Sequence, residues 1–242
     1  MQVLNLPLLL VWFAPVLLVA LGLALAQKLK VRWQLVAAGI AAYIVYSVVG
    51  YATLPDNLAE LPVHARWSSR LAQLAAGLAM VAIAIRTIRD PLIGREAMGL
   101  TLKQAPGSVP MALAGVVVLA LLGAILGGIE FTRAPTAAAW AYHLTLPGIE
   151  EEIIYRGLLT GLFAAGLGGK RPLVWGSVLA TLVFALAHAF TPAANGGVDF
   201  SPITLAITLL AGAILADMRI RTGSLLLPAI GHNLLGLAVI YA

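Results

Sequence analysis

Cysteine is absent and charge is scarce: the 242 residues include no Cys, and only 10% are Asp, Glu, Lys or Arg. The first absence excludes disulfides, thiolate metal sites and cysteine nucleophiles, so a covalent nucleophile would have to be another residue. The second excludes an ordinary soluble domain, in which about 25% of residues are charged. What fills the chain instead is apolar, with 61% hydrophobic residues and a mean hydropathy of +0.98. An integral membrane protein follows, with membrane lipids as its surroundings. The net charge of +5 comes from basic residues dispersed between apolar runs and not clustered with aromatics. With no nucleic-acid-binding motif present either, no nucleic-acid partner is expected.

Crossing roughly 30 Å of hydrocarbon takes about 17 to 25 apolar residues in a helix. Eight runs qualify, at about 5–26, 33–54, 70–87, 110–131, 137–163, 173–190, 202–219 and 224–241. The expected fold is therefore all-α, a polytopic bundle of about eight transmembrane helices forming one membrane domain over 1–242. Ala24-Leu25-Ala26 resembles a signal-peptide cleavage site, but the start carries no Lys or Arg and the apolar run exceeds a 7–15-residue h-region, so the first run is read as a retained helix. Pro147-Gly148 interrupts the fifth run, as fits a helix that lines a site, because freed backbone groups must be satisfied inside the protein. The connection at about 88–109 places Ala97, Met98, Leu100 and Leu102 between charged neighbours, which allows either an amphipathic surface helix or an ordinary loop.

Eleven of the fifteen Lys and Arg residues fall in the first, third, fifth and seventh connections: Lys28, Lys30, Arg32, Arg86, Arg89, Arg95, Lys103, Lys170, Arg171, Arg219 and Arg221. The second, fourth and sixth carry only Arg66, Arg70 and Arg133. By the positive-inside rule both termini are expected outside. Trp12, Trp33, Trp67, Trp140 and Trp175 lie mostly near helix ends, where interfacial anchoring accounts for them.

Arg156 belongs to no loop. It follows Glu150, Glu151 and Glu152 inside the fifth run, where an ionised group at the bilayer centre costs roughly 2.5 to 3.5 kcal/mol on insertion scales. An acidic cluster kept there points to chemistry inside the membrane. Glu152 and Arg156 stand at i and i+4 and can neutralise each other. Glu151, turned about 100° away, is left to face a hydrated cavity as a general base, and Glu150 is left to solvent or to a neighbouring helix. Spacing alone does not fix which of the three faces the cavity. His188 and His232, in later apolar runs, complete a set able to activate water and stabilise an oxyanion. The trio Glu151, His188 and His232 would also serve as zinc ligands with one open position. His143 lies about 12 Å along the helix from Glu151, too far to share its water. His64 reads as a solvated loop residue, and Tyr142 and Tyr155 as packing residues.

These residues form three motifs. Glu151-Glu152-Ile153-Ile154-Tyr155-Arg156 fits Glu-Glu-x-x-x-Arg, Phe184 to His188 fits Phe-x-x-x-His, and His232 fits the third motif of the CPBP intramembrane proteases, which include the type II CAAX prenyl endopeptidases and bacteriocin-linked Abi members. The chain resembles that family over about 95–241, including a Met98-Gly99-Leu100 stretch before the core. The resemblance implies that Glu151 activates water, Glu152 and Arg156 support it, His188 shares the water and His232 stabilises the oxyanion. The family usually has Asn or another polar residue four positions after the last His, where this chain has Gly236; Asn233, turned about 100° from His232, substitutes as donor only if the helix rotates or unwinds locally.

The resemblance implies an intramembrane endopeptidase acting on membrane-associated peptides, either a lipidated CAAX-type C terminus or a leader peptide, and the compact Ala/Leu-rich chain points to a bacterial cell membrane. It is compatible with metal-free catalysis, the expectation here, and with zinc. Two other readings explain the same residues: a non-catalytic membrane protein with a binding, immunity or scaffold role, and a proton-coupled transporter. Against the transporter reading, the sequence shows no pair of broken helices in corresponding halves, as such folds have.

Overall fold

The computed structural model describes residues 5–53, 63–126, 137–193 and 196–236. Helices α1 (Leu6–Ala26), α2 (Trp33–Ala52), α3 (Val63–Thr87) and α4 (Val109–Leu126) precede a long rod. The rod joins α5 (Ala137–Glu152), a π-helical stretch (Ile153–Leu159) and α6 (Thr160–Leu167) end to end. Helices α7 (Pro172–Ala189), α8 (Pro202–Thr222) and α9 (Leu226–Gly236) complete the described chain. With the rod counted once, the described residues form eight helices, and the all-α polytopic bundle is the observed class. Among the described residues, six helices are long and apolar enough to cross a membrane.

The structure adds to or alters the expectations at several places. The third helix begins at Val63 and not near 70, so Arg70 lies two turns inside it and is no loop charge. Helix α5 runs unbroken through Pro147, because a side chain from α9 takes over the backbone groups the proline frees. The 88–108 connection holds no helix but a series of turns, with Met98 N–H bonded to Gly94 O and Leu100 N–H to Arg95 O. Its Ile93 and Met98 side chains are buried against the protein, whereas Leu102 is exposed. Between α7 and α8 an antiparallel hairpin pairs β1 (Phe190–Pro192) with β2 (Val198–Phe200), its Phe190 and Phe200 rings stacked at 4.5 Å. The ends of the fourth and eighth expected spans, 127–131 and 237–241, lie outside the described residues.

Two apolar cores hold the bundle. The larger lies among α1, α2, α3, the rod and α7, and the smaller among α4, α8 and α9. Trp12 belongs to the first: it is buried, and its Nε1–H donates to Phe190 O at 3.0 Å, so this tryptophan is an interior residue and not an interfacial anchor. Small residues let the rod be gripped closely. A Cβ on Gly176 of α7 would stand 2.5 Å from Thr160 O, and one on Gly148 would stand 2.5 Å from Ala229 O of α9. Such close approach is how membrane helices associate when lipid is as apolar as their side chains.

The helix ends segregate into two faces. At one face Arg32 bonds Ala165 O and Asp90, Ala105 N–H bonds Thr222 O, and Leu225 N–H bonds Gly99 O. The α1–α2, α3–α4, α6–α7 and α8–α9 connections therefore meet there. At the other, Asn5 Nδ2 donates to Gly196 O at 2.8 Å and Thr53 Oγ1 donates to Ser69 Oγ at 3.1 Å, joining the start of α1 to the hairpin and the end of α2 to the start of α3.

Candidate active site

The three glutamates occupy the last turn of α5, immediately before the π-helical stretch, and all are buried. A π-turn adds a residue to the helical repeat and is frequent at functional sites. Here it turns Tyr155 towards α2, where its hydroxyl lies 2.9 Å from that of Tyr43. It also keeps Arg156 facing the bundle, with Nη1 donating to Glu152 Oε1 at 2.8 Å and Nη2 to Gly212 O at 3.3 Å. The expected Glu152–Arg156 pair is thus present, and it is dry.

Each carboxylate has a different partner set. Glu150 accepts from the Tyr46 hydroxyl of α2 and from Arg70 Nη1 of α3 at 2.9 Å. Glu151 accepts from the same Arg70 nitrogen through Oε1 at 2.6 Å. One guanidinium therefore clamps two adjacent carboxylates, and Glu151 does have a cationic partner, contrary to the reading from helix geometry alone. The spacing argument missed it because Arg70 comes from a separate helix, 81 positions away in sequence. A signal did exist: Tyr43, Tyr46, Ser47 and Gly50 make a polar stripe at helical spacing along α2, which marks a face turned to a polar interior.

The second oxygen of Glu151, Oε2, has no hydrogen-bond partner among the described residues. His232 Nε2 stands 3.5 Å from it and His188 Nε2 3.8 Å. Both rings are oriented through their other nitrogen. His188 Nδ1 is 2.8 Å from Phe184 O, a carbonyl that can only accept, so Nδ1 carries the hydrogen. His232 Nδ1 is 2.8 Å from Glu152 Oε1 and donates in the same way. Both Nε2 atoms are thereby presented to Glu151. Phe184 explains the first residue of its motif: its ring lies 4.4 Å from that of His188, 5.7 Å from that of His232 and 4.6 Å beneath the Arg156 guanidinium carbon. It is the common wall against which three polar groups are set.

A cavity of about 510 Å³ reaches this centre and is lined by Arg70, Glu151, His188, Tyr142 and Tyr155 among others. His143 also lines it, so the residue set aside on distance shares the cavity, though not the Glu151 oxygen. Gly236 lines it without offering a donor. Asn233 points elsewhere: Oδ1 accepts from Gly148 N–H at 2.7 Å, and Nδ2 donates to Leu144 O at 3.1 Å and Thr145 O at 3.0 Å. Its amide is spent on the backbone around Pro147. His64 lies where side chains are not described. A second cavity of about 760 Å³, on the far side of α5 between Ile149, Ile153, Leu225 and Arg86, is almost wholly apolar.

The residues that would hold a metal are Glu151, His188 and His232. Among the described residues no three His, Asp or Glu side chains form a group that could hold a metal ion. The Arg70 guanidinium on Glu151 also opposes a dication on the same carboxylate, since like charges at this range repel.

Fold and site together define a polytopic membrane protein with an acid–base centre buried between its helices. Residues 133–238 match the family model described as type II CAAX prenyl endopeptidase Rce1-like. The segment that carries Glu150 to Arg156, His188 and His232 is thus similar to the Rce1-like peptidases, in agreement with the three motifs. Arg70, Tyr43 and Tyr46 lie outside the matched segment. No curated protein and no solved structure matches the chain.

Proposed function

We propose that this protein is an intramembrane endopeptidase that hydrolyses a peptide bond with water activated by Glu151. The observation that carries the reading is the convergence of His188 Nε2 and His232 Nε2 on the one carboxylate oxygen of Glu151 that no other group engages. A water oxygen held among these three atoms can lose a proton to Glu151 Oε2 as it attacks the scissile carbonyl carbon. The C–O bond forms, the carbonyl π pair moves to oxygen, and the His232 ring, held by Glu152 through Nδ1, stands to stabilise that oxyanion. Collapse breaks the C–N bond, and the proton on Glu151 passes to the leaving nitrogen, giving a carboxylate and an amine. His188 orients the water. Asn233 acts as a positioning residue that keeps α5 continuous, and Arg70 fixes the unreactive oxygen of Glu151.

The proposed chemistry uses no metal, because Arg70 already supplies the positive charge that orients the carboxylate. Substrates are membrane-associated peptides, lipidated C termini or leader peptides, that enter the 510 Å³ cavity in extended form. The test is cleavage of a quenched membrane-anchored peptide library by the full chain in nanodiscs, beside Glu151→Gln and with a zinc chelator. Turnover that survives chelation and vanishes in Glu151→Gln supports the reading, and loss on chelation transfers it to zinc. Wild-type protein that stays folded yet cleaves nothing favours a non-catalytic binding role.

A further inference from the structure

We infer that the active-site cavity opens to the extracytoplasmic side of the membrane, so that the substrates are exported or outward-facing segments of membrane-associated polypeptides. The inference rests on the peptidase reading for what happens in the cavity, but its evidence is separate and combines two observations.

The first is where the cavity's walls sit along their helices. It is lined by Tyr51 in the last turn of α2, Ser69 and Arg70 near the start of α3, Tyr142 and His143 in the first half of α5, His188 next to the end of α7, and Gly236 at the end of α9. All of these belong to one face, the face where Asn5 meets Gly196 and Thr53 meets Ser69. No residue from the α1–α2, α3–α4, α6–α7 or α8–α9 connection lines it.

The second is the charge carried by the two faces. The connections and adjoining helix ends at the opposite face hold eleven Lys and Arg residues against Asp90, Glu96 and Asp217, and ten remain when Arg219, buried with Nη2 on Ala97 O, is set aside in the same way as Arg70. At the cavity face the structure removes Arg70 from the count, because its guanidinium is spent on Glu150 and Glu151 inside the site. In the sequence, the stretches that join α2 to α3, α4 to α5 and α7 to α8, with the first turn of α3, hold Arg66 and Arg133 against Asp56, Glu60, Glu130 and Asp199. Short connections rich in Lys and Arg are retained on the cytoplasmic side during insertion. The basic face is thus inside and the cavity face outside. A substrate whose lipid anchor and scissile bond both lie at the cytoplasmic surface would meet the wrong end of the bundle. A leader or membrane segment already translocated would meet the right one.

The chain has no cysteine, so single introduced thiols report side without background. Asp199→Cys on the hairpin, Tyr51→Cys in the cavity mouth and Lys103→Cys on the basic face are each expressed in the full chain and treated with a membrane-impermeant maleimide, in intact spheroplasts and after lysis. Asp199→Cys and Tyr51→Cys should label in intact cells to the level reached after lysis, and Lys103→Cys only after lysis. Any pattern in which Asp199→Cys or Tyr51→Cys waits for lysis, or Lys103→Cys does not, overturns the inference. Labelling requires no turnover, so this outcome is read independently of whether Glu151→Gln abolishes cleavage.

Discussion

Arg70 Nη1 lies 2.6 Å from Glu151 Oε1 and 2.9 Å from Glu150 Oε2, so one cation from α3 ties together two neighbouring carboxylates of α5. The contact holds the proposed catalytic carboxylate from outside the segment that matches the Rce1-like family model. Removing one partner of a buried ion pair costs about 3 to 5 kcal/mol, because the other charge is left unpaired. Arg70→Met should therefore lower the melting temperature of the detergent-solubilised protein and lower kcat. Arg70→Lys should recover much of the stability but less of kcat, since an ammonium lacks the fixed fork of a guanidinium. Equal kcat for Arg70→Lys and wild type would show that the charge, not its geometry, is what matters.

Glu151→Gln keeps size and shape and removes the base. Turnover should fall by at least about a hundredfold, on the scale of a lost general base. Peptide binding, followed by fluorescence anisotropy with a non-cleavable analogue, should be retained within about threefold, since Glu151 acts on the water and not on the peptide's affinity. Parallel loss of binding would move Glu151 from the chemistry to substrate recognition.

His188→Ala and His232→Ala act on the same water and oxyanion. Each should cost about a hundredfold or more in kcat/KM. The double variant should fall well short of the product of the two, because residues that work as one unit are not additive. Purely multiplicative effects would separate the two histidines.

Asn233→Leu tests the clamp on α5. The substitution leaves the Gly148 N–H and the Leu144 carbonyl without their partners. Each buried group left unsatisfied costs about 1 to 3 kcal/mol. The expected result is a lower melting temperature and faster hydrogen exchange over 144–151, with residual activity at permissive temperature. Activity abolished in a variant of wild-type stability would return Asn233 to the catalytic centre.

Phe184→Leu removes the ring shared by His188, His232 and Arg156 while conserving apolar character. Stability should change by less than about 2 kcal/mol for a swap between large apolar residues, whereas kcat should fall because both imidazoles lose the wall that sets their tilt. A change in KM alone would assign Phe184 to substrate contact instead.

What could be read directly from the residues were the features that depend on local order in the chain. Apolar run length fixes helices that must satisfy their own backbone in lipid, and so the all-α bundle was legible, together with the Glu152–Arg156 pair that follows from four-residue spacing. The grouping of Glu151, His188 and His232, whose side chains the structure brings together, was legible too, because ionisable groups in apolar runs are costly. What only the tertiary structure decided was partnership across helices. Arg70 looked like a loop charge until α3 was seen to begin at Val63, and Asn233 looked like a substitute donor until its amide was found on the backbone at Pro147. The π-helical stretch has no signature in residue types, and the hairpin after His188 is too short to announce itself by alternation. The physical reason is the same in each case. Helical periodicity states which way a side chain points from its own axis, while the atom it meets is set by how neighbouring helices pack, and that packing is a property of the whole bundle.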